Sequence, residues 1–184
     1  PKRLFDLVRP YLSQNMAVLD LGCGTGLGAG LYRQFSKHMT GVDVSTKMLE
    51  KADEKNIYDR LEQFDVLEEW AFPEKFDLIY SSDVFVYFGN LDPIIGSASS
   101  YLVRGGHLAF SVELLEDEAA AGSYRLYPSG RYAHSQTYIQ TCLDRHGLKK
   151  LKMSKTVIRK QSGHPVKGLL ITAVKKSSAG VNNG

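Results

Sequence analysis

A glycine-rich loop preceded by an aspartate is the first stretch of the sequence that could do chemistry. It reads VLDLGCGTGLGAG over residues 18–30, with Asp20 two positions before Gly22. Glycine lets the backbone approach a ligand closely, because no side chain stands between them. Asp20 could order the turn or meet a cationic group of that ligand, and Cys23 is a small residue that suits a tight loop. The stretch predicts a loop that binds a nucleotide-like molecule.

Three kinds of nucleotide site use glycine-rich loops. A phosphate-binding P-loop requires the pattern GxxxxGK[ST], and no Gly-Lys pair has that spacing here. A dinucleotide fingerprint can be drawn through Gly24, Gly26 and Ala29, with Asp43 as its acid 19 residues after Gly24. Many glycine loops satisfy this fingerprint by chance, so the match is weak evidence. A nicotinamide-dependent reductase is an alternative, and it is ranked last because no second nucleotide-binding half follows.

Three acids that close three successive predicted strands favour the third kind of site. Asp43 can accept hydrogen bonds from both ribose hydroxyls. Asp65 can accept from an adenine amino group, beside a backbone N–H near Val66. Together with Asp20, these carboxylates would repel a pyrophosphate but suit a neutral or positively charged nucleoside. The pattern predicts S-adenosylmethionine as the ligand.

The acids require a parallel sheet whose strands end at one edge. Short apolar runs alternate with helical patterns along most of the chain, which predicts parallel strands with helices on both faces. The last two strands are joined by QSGHP, which is too short for a crossover helix, so they should be antiparallel. The predicted strands are residues 17–22, 39–44, 61–66, 76–82, 107–114, 148–159 and 166–176. One predicted helix follows the glycine loop with Leu27, Leu31 and Phe35 on one face, and others begin at Ser45, Asp92 and Ser135.

The motifs, taken in order, resemble those of class I S-adenosylmethionine-dependent methyltransferases. VLDLGCGTGLGA resembles the cofactor loop of that family, GVDVS its ribose-binding acid and FDV its adenine-side acid. FDLIYSSDVFVYF and LVRGGHLAFSVE resemble its fourth-strand and fifth-strand motifs. YFGNLD, YRLYPSGRYAHS and HPVKGLLITAVK are similar to the methyltransferase domain of proteins that often carry tetratricopeptide repeats upstream.

The resemblance implies a fold, a domain plan and an activity. The fold is α/β, a Rossmann-like sheet of seven strands, mostly parallel with an antiparallel last strand, and with helices on both faces. One domain spans residues 1–176 with a substrate-side insertion at residues 115–134, and residues 177–184 form a flexible tail. The activity is transfer of the sulfonium methyl by in-line displacement to a small-molecule or protein acceptor. A non-catalytic module that binds S-adenosylmethionine or S-adenosylhomocysteine for sensing or assembly is the alternative.

The resemblance also assigns residues to a cofactor site and to the chemistry. Carried over motif by motif, the cofactor-binding residues are Asp20, Gly22, Cys23, Gly24, Thr25, Gly26, Asp43, Val44, Met48, Asp65, Val66 and Ser81. The acceptor is expected beside the end of the fourth strand, where Asp83 is a candidate catalytic residue or a turn cap. His134 is a candidate general base because histidine titrates near neutral pH, or it merely precedes a helix cap.

The segment of residues 115–134 is expected to cover the substrate, because it is too long for a plain connection. Tyr87, Tyr124, Arg131 and Tyr132 combine aromatic rings with a cation, as expected of a pocket for an anionic or carboxylated acceptor. Alternatively, Tyr87 packs under the following helix and Arg131 pairs with the acids of LLEDE.

Composition and charge narrow the class of protein. The 184 residues carry a net charge of +3 with acids and bases interspersed, so no nucleic-acid partner is expected. The basic run from Lys149 to Lys176 is more typical of the solvated face of strands than of a phosphate track. No apolar run approaches the roughly 20 residues of a membrane span. Two cysteines and no spaced metal ligands predict a cytoplasmic protein without disulfides or metal, and the oligomeric state is left open.

Overall fold

The computed structural model describes residues 1–116, 123–161 and 163–177, and its centre is a mixed β-sheet. Strand β1 (Met16–Leu21) pairs in parallel with β2 (Ser36–Asp43) on one side. Strand β4 (Phe76–Ser81) is its parallel neighbour on the other side. Strand β3 (Arg60–Gln63) extends the sheet beyond β2, and β5 (Leu102–Leu114) extends it beyond β4, both in parallel. The carboxyl ends of these five strands therefore lie at one edge of the sheet.

Two antiparallel hairpins complete the sheet. Strand β9 (His164–Lys175) runs antiparallel to β5, and β8 (Leu148–Gln161) runs antiparallel to β9. Strands β6 (Tyr124–Leu126) and β7 (Tyr132–His134) pair with each other, and β7 also pairs with the last two residues of β5. The α/β class and the mostly parallel sheet with an antiparallel last strand are confirmed. The described residues form nine strands rather than seven, because three-residue strands such as β6 and β7 are too short to show a hydrophobic period.

Helices cover both faces of the sheet. They are α1 (Lys2–Val8), α2 (Ala29–Arg33), α3 (Thr46–Asp53), α4 (Asp92–Tyr101) and α5 (Gln136–Arg145). Successive strand residues point to opposite faces, so Val18 packs with apolar residues of α1 and α2 while Leu19 packs with those of α4 and α5. Burial of these two apolar clusters stabilises the sheet on which the strand ends are aligned.

The prediction of a helix that buries Leu27, Leu31 and Phe35 is wrong. Both the limits of the helix and its buried face differ from the prediction. Helix α2 has only five residues, and its buried side chains are Ala29 and Tyr32. Leu27 lies before the helix and is exposed. Left-handed glycines up to position 26 keep the preceding chain out of a helical conformation, so the four-residue spacing was coincidental.

Other boundaries differ from the predictions by a few residues. Strand β3 ends at Gln63, so Asp65 lies in the turn after it rather than at its end. Strand β5 begins at Leu102, five residues before the predicted start at residue 107. Asp92 lies in the first turn of α4, where Leu91 rather than Asp92 is the cap residue.

Among the described residues, no helix combines the length and the apolar composition needed to cross a membrane. Over residues 1–116, 123–161 and 163–177, no three His, Cys, Asp or Glu side chains are grouped so that they could hold a metal ion. Residues 117–122 of the insertion and residues 178–184 of the expected tail lie outside the described residues.

Candidate active site

A cavity of about 720 Å³ opens at the carboxyl edge of the sheet. This size is typical of a site for a small molecule or cofactor. Its walls come from the loop after β1, from the residues after β4, from α1 and from the end of β8. The residues that line it include Lys2, Arg3, Asp20, Gly22, Cys23, Gly24, Thr25, Tyr80, Ser82, Asp83, Arg159 and Lys160.

Three glycines in the loop after β1 adopt left-handed backbone conformations. Their φ angles are +75° at Gly22, +54° at Gly24 and +71° at Gly26. A Cβ at Gly22 would come within 2.3 Å of Cγ2 of Val84, whereas a Cβ at Gly24 would meet nothing within 4 Å. Gly22 is therefore required by both conformation and packing, and the backbone at Gly24 faces open space that a ligand can occupy.

Asp43 fastens this loop to the end of β2. Its Oδ2 accepts a hydrogen bond of 2.9 Å from the Gly24 N–H, and its Oδ1 accepts one of 2.9 Å from the Ser45 N–H. Each carboxylate oxygen can accept a further bond, so the side chain retains capacity for ribose hydroxyls. Asp43 itself does not line the cavity but fixes the part of the loop that does.

Asp20 is buried at the end of β1 and is held by two tyrosines that the sequence analysis missed. Its Oδ2 accepts hydrogen bonds from the hydroxyls of Tyr58, at 2.7 Å, and Tyr80, at 2.5 Å. Burial raises the pKa of Asp20 to about 6, although the bonds from Tyr80 and Tyr58 lower it. Both tyrosines bind Oδ2, and the residue lines the cavity, so Oδ1 is the oxygen left for a cationic ligand group. Tyr80 stands in the fourth-strand motif, but no local pattern around Tyr58 indicates its role.

The Asp20→Asn variant is expected to be more stable than the parent protein at pH 8 and to bind a cationic cofactor more weakly. A folded carboxyl with a pKa near 6, against 3.8 for the free group, binds its proton more tightly in the folded state. Its ionisation therefore lowers the free energy of unfolding as pH rises from about 4 to 6. Urea unfolding should show the gain at pH 8 and little of it at pH 4, with Asp65→Asn as the matched control. An equal gain in stability at both pH values would contradict a raised pKa of Asp20 in the folded protein.

The other predicted cofactor residues divide into exposed and buried ones. Val44 and Met48 expose apolar side chains beyond the end of β2, the kind of surface on which a purine ring could rest. Asp65 uses Oδ1 to accept a bond of 2.9 Å from the Leu67 N–H. Val66 is buried in the core, and Ser81 is fully buried with its hydroxyl donating to the Leu21 carbonyl at 2.7 Å.

The structure thus brings five of the predicted cofactor residues to the cavity. They are Asp20, Gly22, Cys23, Gly24 and Thr25. Burial first, and then the charges of Asp20 and Asp43, raise the pKa of the Cys23 thiol to about 12, which keeps it protonated. Ser82 rather than Ser81 faces the cavity at the end of β4. An open glycine backbone, a buried carboxylate and a cavity of this volume fit the nucleoside and the cationic end of S-adenosylmethionine.

An ion-pair cluster closes the opposite side of the cavity. Arg159 of β8 donates from Nη1 to Asp83 Oδ1 at 2.9 Å, and its Nη2 contacts Glu113 Oε1. Asp83, two residues after the end of β4, has a left-handed φ of +61°, and its N–H donates to the Ser111 hydroxyl at 2.9 Å. Arg159 is a site residue that sequence analysis missed, because it lay within a basic run interpreted as a solvated face.

The predicted substrate residues form two contact pairs, and neither pair lines the cavity. Arg131 donates from Nη2 to the Tyr87 hydroxyl at 3.3 Å, and its guanidinium carbon lies 5.5 Å from the centroid of that ring. The rings of Tyr124 and Tyr132 pack edge to face at 6.0 Å. The alternative acid partners of Arg131 at positions 117 and 118 lie outside the described residues, and Glu116 instead pairs with Lys167.

Electrostatics connect Arg131 to the ion-pair cluster. The hydrogen bond that Arg131 donates to the Tyr87 hydroxyl raises the pKa of Arg131, and the charges of Asp83 and Glu113 raise it further. Arg131 therefore lies within electrostatic range of the cavity wall, although it does not line the cavity.

The expectation that His134 titrates near neutral pH is wrong. Its ring is fully buried, and burial lowers its pKa to about 4 in spite of hydrogen bonds with the backbone of Gly89 and Phe88. Nε2 lies 2.9 Å from the Phe88 carbonyl oxygen and 3.1 Å from that of Gly89, so this nitrogen carries the proton of the neutral ring. The ring stacks on Tyr138 and does not line the cavity, which leaves it no access to an acceptor there.

Comparisons with known proteins agree with this geometry. The family model described as "Methyltransferase domain" matches residues 1–152. A malonyl-[acyl-carrier protein] O-methyltransferase of Priestia megaterium is 36% identical over 104 residues, which cover 55% of this chain and 38% of that protein. The chain thus spans about two fifths of the curated relatives it matches.

Solved structures share the fold over nearly the whole chain. An S-adenosylmethionine-dependent methyltransferase from Mesorhizobium loti superposes with a TM-score of 0.72 at 20% identity, covering 92% of this chain and 96% of that one. The magnesium protoporphyrin IX methyltransferase of Synechocystis was solved with bound S-adenosylmethionine. It superposes with a TM-score of 0.69 at 20% identity, covering 96% of this chain and 77% of that one.

Proposed function

The chain belongs to the methyltransferase domain family of the S-adenosylmethionine-dependent class, and from that premise we propose that it methylates a carboxylate oxygen of an acyl group carried on a protein. The loop from Gly22 to Gly26 and the carboxylates of Asp20 and Asp43 are the residues that would hold S-adenosylmethionine. When bound, that cofactor supplies a methyl group on a positively charged sulfur, and a methyl ester and S-adenosylhomocysteine remain once a carboxylate has taken it.

The observation that carries the proposal is the lack of a free general base beside the cofactor residues. In the described part of the chain no histidine lines the cavity, and Cys23 stays protonated. Asp20 is engaged by two tyrosine hydroxyls and assigned to the cationic end of the cofactor, and Asp83 is paired with Arg159 while no acceptor is bound. An amine or alcohol acceptor must lose a proton, but a carboxylate is already ionised at neutral pH. The chain then has only to bind and orient the acceptor and the cofactor and to exclude water from them.

The charges of the cavity support an anionic acceptor. Lys2, Arg3, Arg159 and Lys160 line it from α1 and β8, against the acids Asp20 and Asp83. A concave wall that carries several cations raises the local concentration of an anion. The Priestia megaterium relative is named for a malonyl group on an acyl carrier protein, which is an acceptor of this class.

The test is methyl transfer from labelled S-adenosylmethionine to a carrier protein loaded with a malonyl or an acetyl group. We expect labelled, base-labile ester with the malonyl form and none with the acetyl form, which is matched in every respect except the free carboxylate. Calorimetric titration with S-adenosylhomocysteine measures cofactor binding separately. Binding without transfer to either carrier would overturn the proposed acceptor and favour the non-catalytic binding module.

A further inference from the structure

Arg159 has two carboxylate partners in very different surroundings. The side chain of Glu113 is only 9% exposed, whereas that of Asp83 is 50% exposed. Removing one member of a buried ion pair leaves an uncompensated charge and is strongly unfavourable. An exposed pair contributes little and exchanges with solvent or another ion readily. The contact with Glu113 therefore anchors Arg159, and the contact with Asp83 can be replaced.

The backbone conformation of Asp83 contributes to the position of its carboxylate. A non-glycine residue with a φ of +61° is strained, and here the bond from its N–H to the Ser111 hydroxyl holds the conformation. The carboxylate is thereby directed to the cavity and to Nη1 of Arg159. The backbone of Asp83 and its ion pair with Arg159 thus both place this carboxylate on the cavity wall.

Arg159 lines the cavity, and the described residues do not use all of its N–H donors. Its Nε is buried and has no hydrogen-bond partner within the described part of the chain. A guanidinium offers five N–H donors in a planar fork, and two of them can bind one carboxylate side by side. Arg3 and Lys160 line the same cavity, so an additional anion there meets positive charge.

We propose that Arg159 is the residue that binds the acceptor carboxylate, and that Asp83 is an internal competitor which the acceptor displaces from the guanidinium. This inference rests on the proposed function in one respect, that the acceptor carries a carboxylate. Asp83 then acts as a counter-ion that keeps Arg159 oriented while no acceptor is bound, and the candidate role of catalytic base is not needed.

The test measures binding of malonyl-pantetheine, with acetyl-pantetheine as control, to protein saturated with S-adenosylhomocysteine, so that no turnover intervenes. We expect Asp83→Asn to bind the malonyl probe several-fold more tightly, because the competing charge is removed. Arg159→Gln should bind it about 10- to 100-fold more weakly. Lys155→Gln, which removes an exposed cation of the same strand, should not change the affinity.

Because Arg159→Gln leaves Glu113 buried without a partner, the double variant Arg159→Gln/Glu113→Gln is measured beside it. The double variant should be folded and should show the same loss. Unchanged malonyl affinity in the Asp83 and Arg159 variants would overturn the inference. Slower transfer by Asp83→Asn with unchanged malonyl affinity would also overturn it, since that result assigns Asp83 the role of base. If the proposed function itself fails, the parent protein gives no malonyl-dependent transfer at all, which is a separate readout.

Discussion

Replacing Asp43 with alanine is expected to weaken binding of S-adenosylmethionine by about 100-fold. The carboxylate fixes the Gly24 and Ser45 N–H groups and has further capacity for the ribose hydroxyls. Losing two hydrogen bonds to a charged group costs about 3 kcal/mol, which corresponds to that factor in affinity. Calorimetric titration with S-adenosylmethionine and S-adenosylhomocysteine would measure the loss for both ligands.

Two matched variants separate binding from folding in this experiment. Asp43→Asn keeps one acceptor oxygen and should retain part of the affinity. Asp65→Ala removes a carboxylate that, among the residues the structure describes, accepts a bond from the Leu67 N–H, and this variant should lose less affinity than Asp43→Ala. If Asp43→Ala bound S-adenosylmethionine with an affinity within about threefold of the parent protein, the ribose would have to lie elsewhere.

Gly22→Ala is expected to lower the free energy of unfolding by about 3 kcal/mol. The left-handed φ of +75° contributes strain of about 1–3 kcal/mol for a residue with a side chain. The new Cβ would also lie 2.3 Å from Cγ2 of Val84, an overlap that typically costs about 1–3 kcal/mol to relieve. Urea unfolding of the variant, compared with the parent, gives the difference directly.

A double-mutant cycle divides this loss into its two causes. Position 24 also has a left-handed φ, but a Cβ there would meet open space. Gly24→Ala should therefore lower the free energy of unfolding by about 1 kcal/mol through conformation alone. Adding Val84→Ala to Gly22→Ala removes the overlap and should recover part of the loss. If Gly22→Ala and Gly24→Ala were equally stable, the contact with Val84 would have no energetic weight.

The sequence predicted the sheet and the glycine loop because both depend on local patterns. Buried strands appear as apolar runs, and the acid at the end of β2 follows such a run directly at Asp43. Helix α2 could not be predicted correctly, since the spacing of Leu31 and Phe35 imitates a helical face although glycine conformations upstream delay the helix to Ala29. The pair β6 and β7 was missed for the opposite reason, as three-residue strands leave too little pattern to detect.

The parts of the site that sequence reasoning missed depend on contacts between distant segments. Tyr58 reaches Asp20 across 38 positions, and Arg159 reaches Asp83 across 76. No local spacing announces such pairs, because each is created only when strands from different parts of the chain are brought together. His134 shows the same limitation, since burial among Phe88, Gly89 and Tyr138 changes its titration and no neighbouring sequence signals that burial.

The contact between α1 and β8 has a consequence for the timing of assembly. Arg3 donates to the Thr156 hydroxyl at 2.7 Å and to the Val157 carbonyl, so one cavity wall joins residues that are 153 and 154 positions apart. During synthesis the glycine loop, Asp20 and Asp43 emerge long before β8 exists, and contacts of such separation form late because closing the intervening loop is slow. We therefore expect the parallel half-sheet to form before this cavity wall, so that a ribosome-bound chain that stops short of residue 156 would retain a ligand more weakly than the full chain.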